Sequence, residues 1–97
     1  MTSASQILHR LQSLLPTLRQ VYGVSRIGLF GSWIREEQRA ESDIDILVSF
    51  QATPGMFTFL KLEEYLSQQL GVPVDLVMQE SLKPQIGQRI LEEVVMI

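Results

Sequence analysis

The run at residues 43–50, D-I-D-I-L-V-S-F, narrows the possible folds more than any other stretch. It is rich in Ile and Val and nearly continuous in its apolar character, which predicts a central strand covered on both faces. Its head carries two carboxylates, Asp43 and Asp45, in an i, i+2 relation that puts both on one side of a strand. Two such charges about 4 Å apart repel by on the order of 4 kcal/mol at an effective dielectric near 20. They are tolerated when solvated, partly protonated or bound to a cation. Ile44 and Ile46 pull the opposite face into a core, which limits solvation. A hard divalent cation resolves the conflict; a polar strand entrance open to water is the simpler alternative.

Upstream, residues 26–30, R-I-G-L-F, predict a short buried strand ended by Gly31. Ten residues separate Ser32 from Asp43. Gly31 lets backbone approach a phosphate closely, and Ser32 opens one or two helical turns over 32–38, where free N–H groups favour an anion. An ordinary Ser-capped turn would look the same. Arg35 lies one turn later, within reach of a phosphate or of a partner's acidic group. Arg39 is a weaker candidate, and 39–42 reads as a polar loop. Asp75 is the one charged residue in V-P-V-D-L-V-M, residues 72–78, a third predicted strand with Pro73 at its start. A carboxylate in an apolar strand needs compensation. Beside the second strand it joins Asp43 and Asp45 on one face, the platform used to hold two Mg²⁺ ions in phosphoryl and nucleotidyl transfer. Capping the strand or pairing with an arginine is the alternative.

Helices fill the intervals. Ile7, Leu11, Leu14, Leu18 and Val21 form one stripe, capped by Ser3 or Ser5 and closed by Gly23, with a kink or break expected at Pro16. Leu62, Leu66 and Leu70, with Phe59 in phase, predict a helix that the turn Thr53-Pro54-Gly55 can start, with Thr53 as cap, and that ends at Gly71. A last helix is predicted over about 83–93, capped by Ser81, with Ile86, Ile90, Leu91 and Val94 facing inward. Residues 94–97 fit either a helix end or a strand. The first two strands can be parallel or antiparallel, given the length of their connection. The fold class is α+β (α/β-like): a small mixed sheet with helices packed on it, one domain over 1–97.

Composition removes several classes. With 97 residues and a net charge of −3, the chain is one small domain without the basic balance of a general nucleic-acid binder. It has no cysteine and one histidine, His9, so a metal site must use oxygen ligands and take Mg²⁺, Mn²⁺ or Ca²⁺. No apolar run is long enough to span a membrane, and the start of the chain lacks signal-peptide features, so a cytoplasmic location is expected. Trp33 and His9 read as packing and surface residues, and Lys83 as a helix-start lysine able to approach a phosphate.

The pattern Gly-Ser, ten residues, Asp-x-Asp resembles nucleotidyltransferases of the DNA polymerase beta type. The fuller L-F-G-S-W-x-R…S-D-I-D-I-L-V, with V-D-L-V further on, looks like the minimal nucleotidyltransferase (MNT) proteins, many of them antitoxins paired with a HEPN-domain toxin. The resemblance implies that Gly31, Ser32 and Arg35 bind the triphosphate of ATP. It implies that Asp43, Asp45 and Asp75 ligate two Mg²⁺ ions, with Asp75 also helping to activate the attacking hydroxyl. AMP would pass to a hydroxyl, a tyrosine in antitoxin members, on a cognate toxin held in a hetero-oligomer. The alternatives are an antitoxin that neutralises by binding alone, or a nucleotidyltransferase acting on RNA or a small molecule. One residue departs from the family pattern: Glu36 stands where a glycine usually follows the arginine, so the loop is reshaped there or continues as helix.

Overall fold

The computed structural model describes residues 3–39 and 43–97. The elements are helix α1 (Ala4–Tyr22), strands β1 (Val24–Phe30) and β2 (Ile44–Phe50), helix α2 (Met56–Leu70), strand β3 (Val74–Met78), helix α3 (Pro84–Glu93) and the short strand β4 (Val95–Met96). The sheet order is β3-β2-β1-β4. β1 runs antiparallel to β2 and to β4, whereas β2 and β3 are parallel. This is the expected mixed sheet, and residues 94–97 resolve as a strand start rather than a helix end.

Alternation divides the sheet into two faces. Ile27 and Leu29, Ile44, Ile46 and Val48, and Val74 and Leu76 point to one side. There they meet Ile7, Leu11, Leu14 and Leu18 of α1 and Leu62, Leu66 and Leu70 of α2 in a single core. Phe30, Asp45, Asp75 and Val77 point to the other side, toward α3.

α1 is stapled at its start by a reciprocal capping box. Gln6 N–H donates to Ser3 Oγ at 3.2 Å, and Ser3 N–H donates to Gln6 Oε1 at 2.9 Å. The helix runs through Pro16 as one element rather than two. Pro16 and Gln12, whose carbonyl loses its usual donor, are both exposed, so that carbonyl is open to solvent. Val21, expected inward, is 66% exposed, because the last turn passes beyond the core and Tyr22 packs there instead. Gly23 closes the helix at φ +71.

Two caps and one turn differ from expectation. α2 starts at Met56 with Gly55 as N-cap, since Thr53 lies too early to reach the first free amides. α3 is entered from Lys83 with Pro84 in its first turn, because proline is preorganised there; Ser81 belongs to a separate 3-10 turn, Gln79–Ser81. The segment after β1 forms a 3-10 turn, Gly31–Trp33, not one or two turns of α-helix over 32–38. Residues 40–42 of the predicted 39–42 loop lie outside the described residues.

α3 is the largest departure. Ile86 is 53% and Leu91 50% exposed, Ile90 and Val94 are half-buried, and Gly87 is its one buried residue. Its apolar stripe stands over the second face of the sheet without sealing it.

Candidate functional site

The gap beneath α3 is an open cleft of about 480 Å³. Gly31, Arg35, Asp45 and Asp75 line it, so four of the six sequence-predicted site residues share one cavity. Ser32 and Asp43 stand next to it in sequence but do not form its walls.

Gly31 follows β1 directly, and its strand neighbour Phe30 lies opposite Asp45. Its φ is +81, a region that side chains other than glycine rarely adopt. A Cβ at this position would run into the Asp45 carboxylate. The glycine is therefore required twice, by its backbone angle and by the acid beside it. Its carbonyl accepts from the N–H groups of Ile34 and Arg35, both at 3.1 Å, which folds the following turn tightly.

Glu36 completes that turn at φ +58, in the left-handed region. The chain keeps there a backbone shape that suits glycine, so the segment neither continues as helix nor loses the turn. Arg35 projects back along the cleft and pairs with Glu37 at 3.2 Å and with Glu93 at 3.0 Å. Hydrogen bonds to Glu37, then to Glu93, hold its guanidinium above its ordinary pKa.

Asp45 and Asp75 are direct partners in the parallel β2–β3 register. Asp75 sits on an edge strand whose outward amides are satisfied by α2. Val74 N–H donates to Ser67 Oγ at 3.0 Å, and Leu76 N–H donates to Glu63 Oε2 at 2.9 Å. These two bonds flank Asp75 and fix its place on the strand. The Asp75 side chain is exposed in the cleft, so solvent supplies the compensation that a buried acid would lack. Asp43 is also exposed and stands one residue before β2.

Asp45 is half-buried, and its carboxyl is pushed above the usual carboxylate range. Burial is the largest cause, followed by the charges of Asp75 and Asp43; Arg35 opposes the shift, and Glu93 adds to it. Negative charge at this point is under-compensated, which suits a cation with a preference for oxygen ligands. Among the described residues, no three acidic or histidine side chains form a ready-made metal cage.

Two cleft residues escaped the sequence reading. Glu93 and Arg89 line the cavity from α3. The available signal was their phase: Ile86, Arg89, Ile90 and Glu93 recur at spacings of three and four, so both charges lie on the apolar stripe. Glu93 accepts a hydrogen bond from Gly31 N–H at 2.6 Å. Trp33 is buried and His9 exposed, in keeping with packing and surface roles.

The sequence pattern of the nucleotidyltransferase domain matches residues 7–97. The chain belongs to the nucleotidyltransferase domain family. Nucleotidyl transfer is thus the reaction class of this fold, and the polymerase beta-type architecture is the one read from the Gly-Ser and Asp-x-Asp pattern. The protein adenylyltransferase MntA of Thermococcus cleftensis is 47% identical over 92 residues, covering 91% of this chain and 93% of the relative. A solved structure described as a minimal nucleotidyltransferase superposes with a TM-score of 0.82 at 31% identity, covering 97% of this chain and 95% of that one. A toxin–antitoxin crystal structure with AMP-PNP matches with a TM-score of 0.76 at 27% identity, over 91% of this chain and 69% of that one. Among the described residues, no helix is long and apolar enough to cross a membrane.

Proposed function

We propose that this nucleotidyltransferase is a Mg²⁺-dependent protein adenylyltransferase that transfers AMP from ATP to a tyrosine hydroxyl of a cognate HEPN-domain toxin, acting as its antitoxin in the cytoplasm. The observation that carries the reading is the Asp45–Asp75 pair, face to face across β2 and β3 in the cleft that Gly31 borders. The MntA relative and the AMP-PNP-bound toxin–antitoxin structure support the nucleotide and the partner.

In this reading residues 1–97 act as one domain. Gly31, Ser32 and Arg35 bind the triphosphate, and Asp43, Asp45 and Asp75 hold the metal. Bound Mg²⁺ would neutralise charge on the phosphates and polarise the α-phosphate. The acceptor hydroxyl oxygen bonds to the α-phosphorus in line, the bond from that phosphorus to the bridging oxygen breaks, and pyrophosphate leaves. Asp75, exposed in the cleft, takes the hydroxyl proton. The toxin binds as the second component of a hetero-oligomer.

A second reading is neutralisation by binding alone. It draws on the exposed apolar residues Met56, Phe57 and Leu60 at the start of α2, which need no catalytic site. Labelled ATP, Mg²⁺ and the toxin of the neighbouring gene separate the two. Label should move to the toxin, fall roughly 10³-fold or more in Asp45→Asn, and stop when the metal is chelated. If Asp45→Asn neutralises the toxin as well as wild type and no label moves in either, the catalytic reading is wrong and the binding reading stands.

A further inference from the structure

Glu93 occupies an unusual place. It ends α3, yet its carboxylate lies against the turn after β1, 62 residues away in sequence. One oxygen, Oε2, accepts from Gly31 N–H at 2.6 Å, and both oxygens lie 3.0 Å from Arg35 Nη1. A backbone amide of a left-handed glycine and a guanidinium thus converge on one anion. That is the donor pair a phosphate oxygen would use, and charge-assisted bonds of this kind are the strong ones.

The element that delivers this carboxylate is tied to the sheet at its ends but packs little along its length. Directly after Glu93 the chain turns extended at Val94, and β4 pairs with Gly28 and Leu29 of β1. Ile97 N–H also donates to Ile27 carbonyl at 2.9 Å. Before Glu93, α3 buries a single residue, Gly87. The strand thus keeps the carboxylate close at hand, while the helix that presents it has little packing to hold it down. A tethered anion of this kind has a high effective concentration and little to prevent its release.

We propose that Glu93 is an internal stand-in for phosphate, which occupies the Gly31–Arg35 subsite in the free protein and is displaced by the triphosphate of an incoming nucleotide. The inference rests on the nucleotide reading given under Proposed function. A phosphate and a carboxylate crowded onto one amide repel each other, so nucleotide binding favours departure of the carboxylate. Displacement frees Arg35 for the phosphates, and the apparent affinity for nucleotide is reduced by the fraction of molecules in the occupied state.

The test uses the full chain with AMP-PNP and Mg²⁺ as the probe. Binding is measured by calorimetry, and the Gly31 amide is followed by NMR. Glu93→Gln keeps the size of the side chain and removes its charge. Glu92→Gln makes the same charge change on an exposed neighbour. Glu93→Gln should bind AMP-PNP roughly 5- to 50-fold more tightly, and Glu92→Gln within about twofold of wild type. The Gly31 amide proton should lie far downfield in free wild type, move upfield in free Glu93→Gln, and coincide in the two proteins once nucleotide saturates them. If AMP-PNP binds and shifts Gly31, but Glu93→Gln gains no affinity or the two proteins still differ at Gly31 when saturated, Glu93 is not displaced and the inference fails alone. If AMP-PNP leaves the Gly31 amide unmoved in both, the nucleotide reading of the site fails and takes the inference with it.

Discussion

The two faces of the sheet are built from the same strands and have opposite fates. On one, α1 and α2 bring leucines at helical spacing against Ile44, Ile46 and Val48, all fully buried. On the other, α3 contributes half-exposed residues and leaves a cleft. Charge follows the same division. Asp45 lies between Ile44 and Ile46 in sequence, and it is accommodated because its face is not sealed. The sealed face supplies the stability that allows the open face to keep like charges together, a division common where function and stability compete.

Neighbouring positions on β2 provide the strongest test of that division. Ile46→Ala removes a fully buried side chain from the sealed face and should lower unfolding free energy by about 2–5 kcal/mol in urea denaturation. A loss under about 1 kcal/mol would show that the core face relaxes around the cavity, and the contrast between faces would weaken. Gly31→Ala should follow, with a loss of about 1–3 kcal/mol. It imposes a side chain at φ +81 and drives a methyl into Asp45. Its urea midpoint should partly recover when Asp45 is also shortened, in Gly31→Ala/Asp45→Ala, since the collision is with that carboxylate. Absence of any recovery would assign the whole cost to the backbone angle.

These residues also show where the sequence was legible. The strands at 26–30, 43–50 and 72–78 were visible from apolar runs, with ends shifted by one or two residues, and the buried stripes Ile7–Leu18 and Leu62–Leu70 from spacing. The juxtaposition of Asp45 and Asp75 followed from one assumption, that β2 and β3 are neighbours. What could not be read depended on distant contacts. Periodicity marked Ile86, Ile90 and Leu91 as a buried face, but periodicity reports that a stripe exists, not that anything covers it. Local preference assigned the caps to Thr53 and Ser81, whereas chain geometry gave them to Gly55 and Lys83. Glu93 was hidden for the same reason: its hydrogen bond to Gly31 joins segments 62 residues apart in sequence.

Asp45 gives a smaller effect of opposite sign. Its folded-state carboxyl titrates above the ordinary value of 3.8, so between those points the native state holds more protons than the unfolded one. Stability from this group therefore falls as pH rises from about 4 toward neutrality. In metal-free buffer at pH 7, Asp45→Asn should be more stable than wild type, by on the order of 0.5–1 kcal/mol after allowing for solvent screening. The gain should shrink as pH falls, because the raised Asp45 carboxyl of wild type is then increasingly protonated. Saturating Mg²⁺ should narrow the difference from the other direction, because a bound cation relieves the same repulsion. A gain that is constant across pH would mean that charge is not its origin.

The smallest effect belongs to α3, and it decides whether the open face is open in solution. Ile86 is 53% exposed, so Ile86→Ser removes little buried area. Unfolding free energy should change by no more than about 0.5 kcal/mol, a tenth to a quarter of the Ile46→Ala loss. The helix itself should persist, since Pro84 starts it and the substitution leaves its backbone bonds intact. A loss above about 1 kcal/mol would mean that Ile86 is packed in the free protein and that α3 closes over Asp45 and Asp75. Both faces of the sheet would then be sealed, and the cleft would have to open before any ligand entered. A small loss measured beside a large one at Ile46 keeps the asymmetry, and with it the reason that the acids stand where they do.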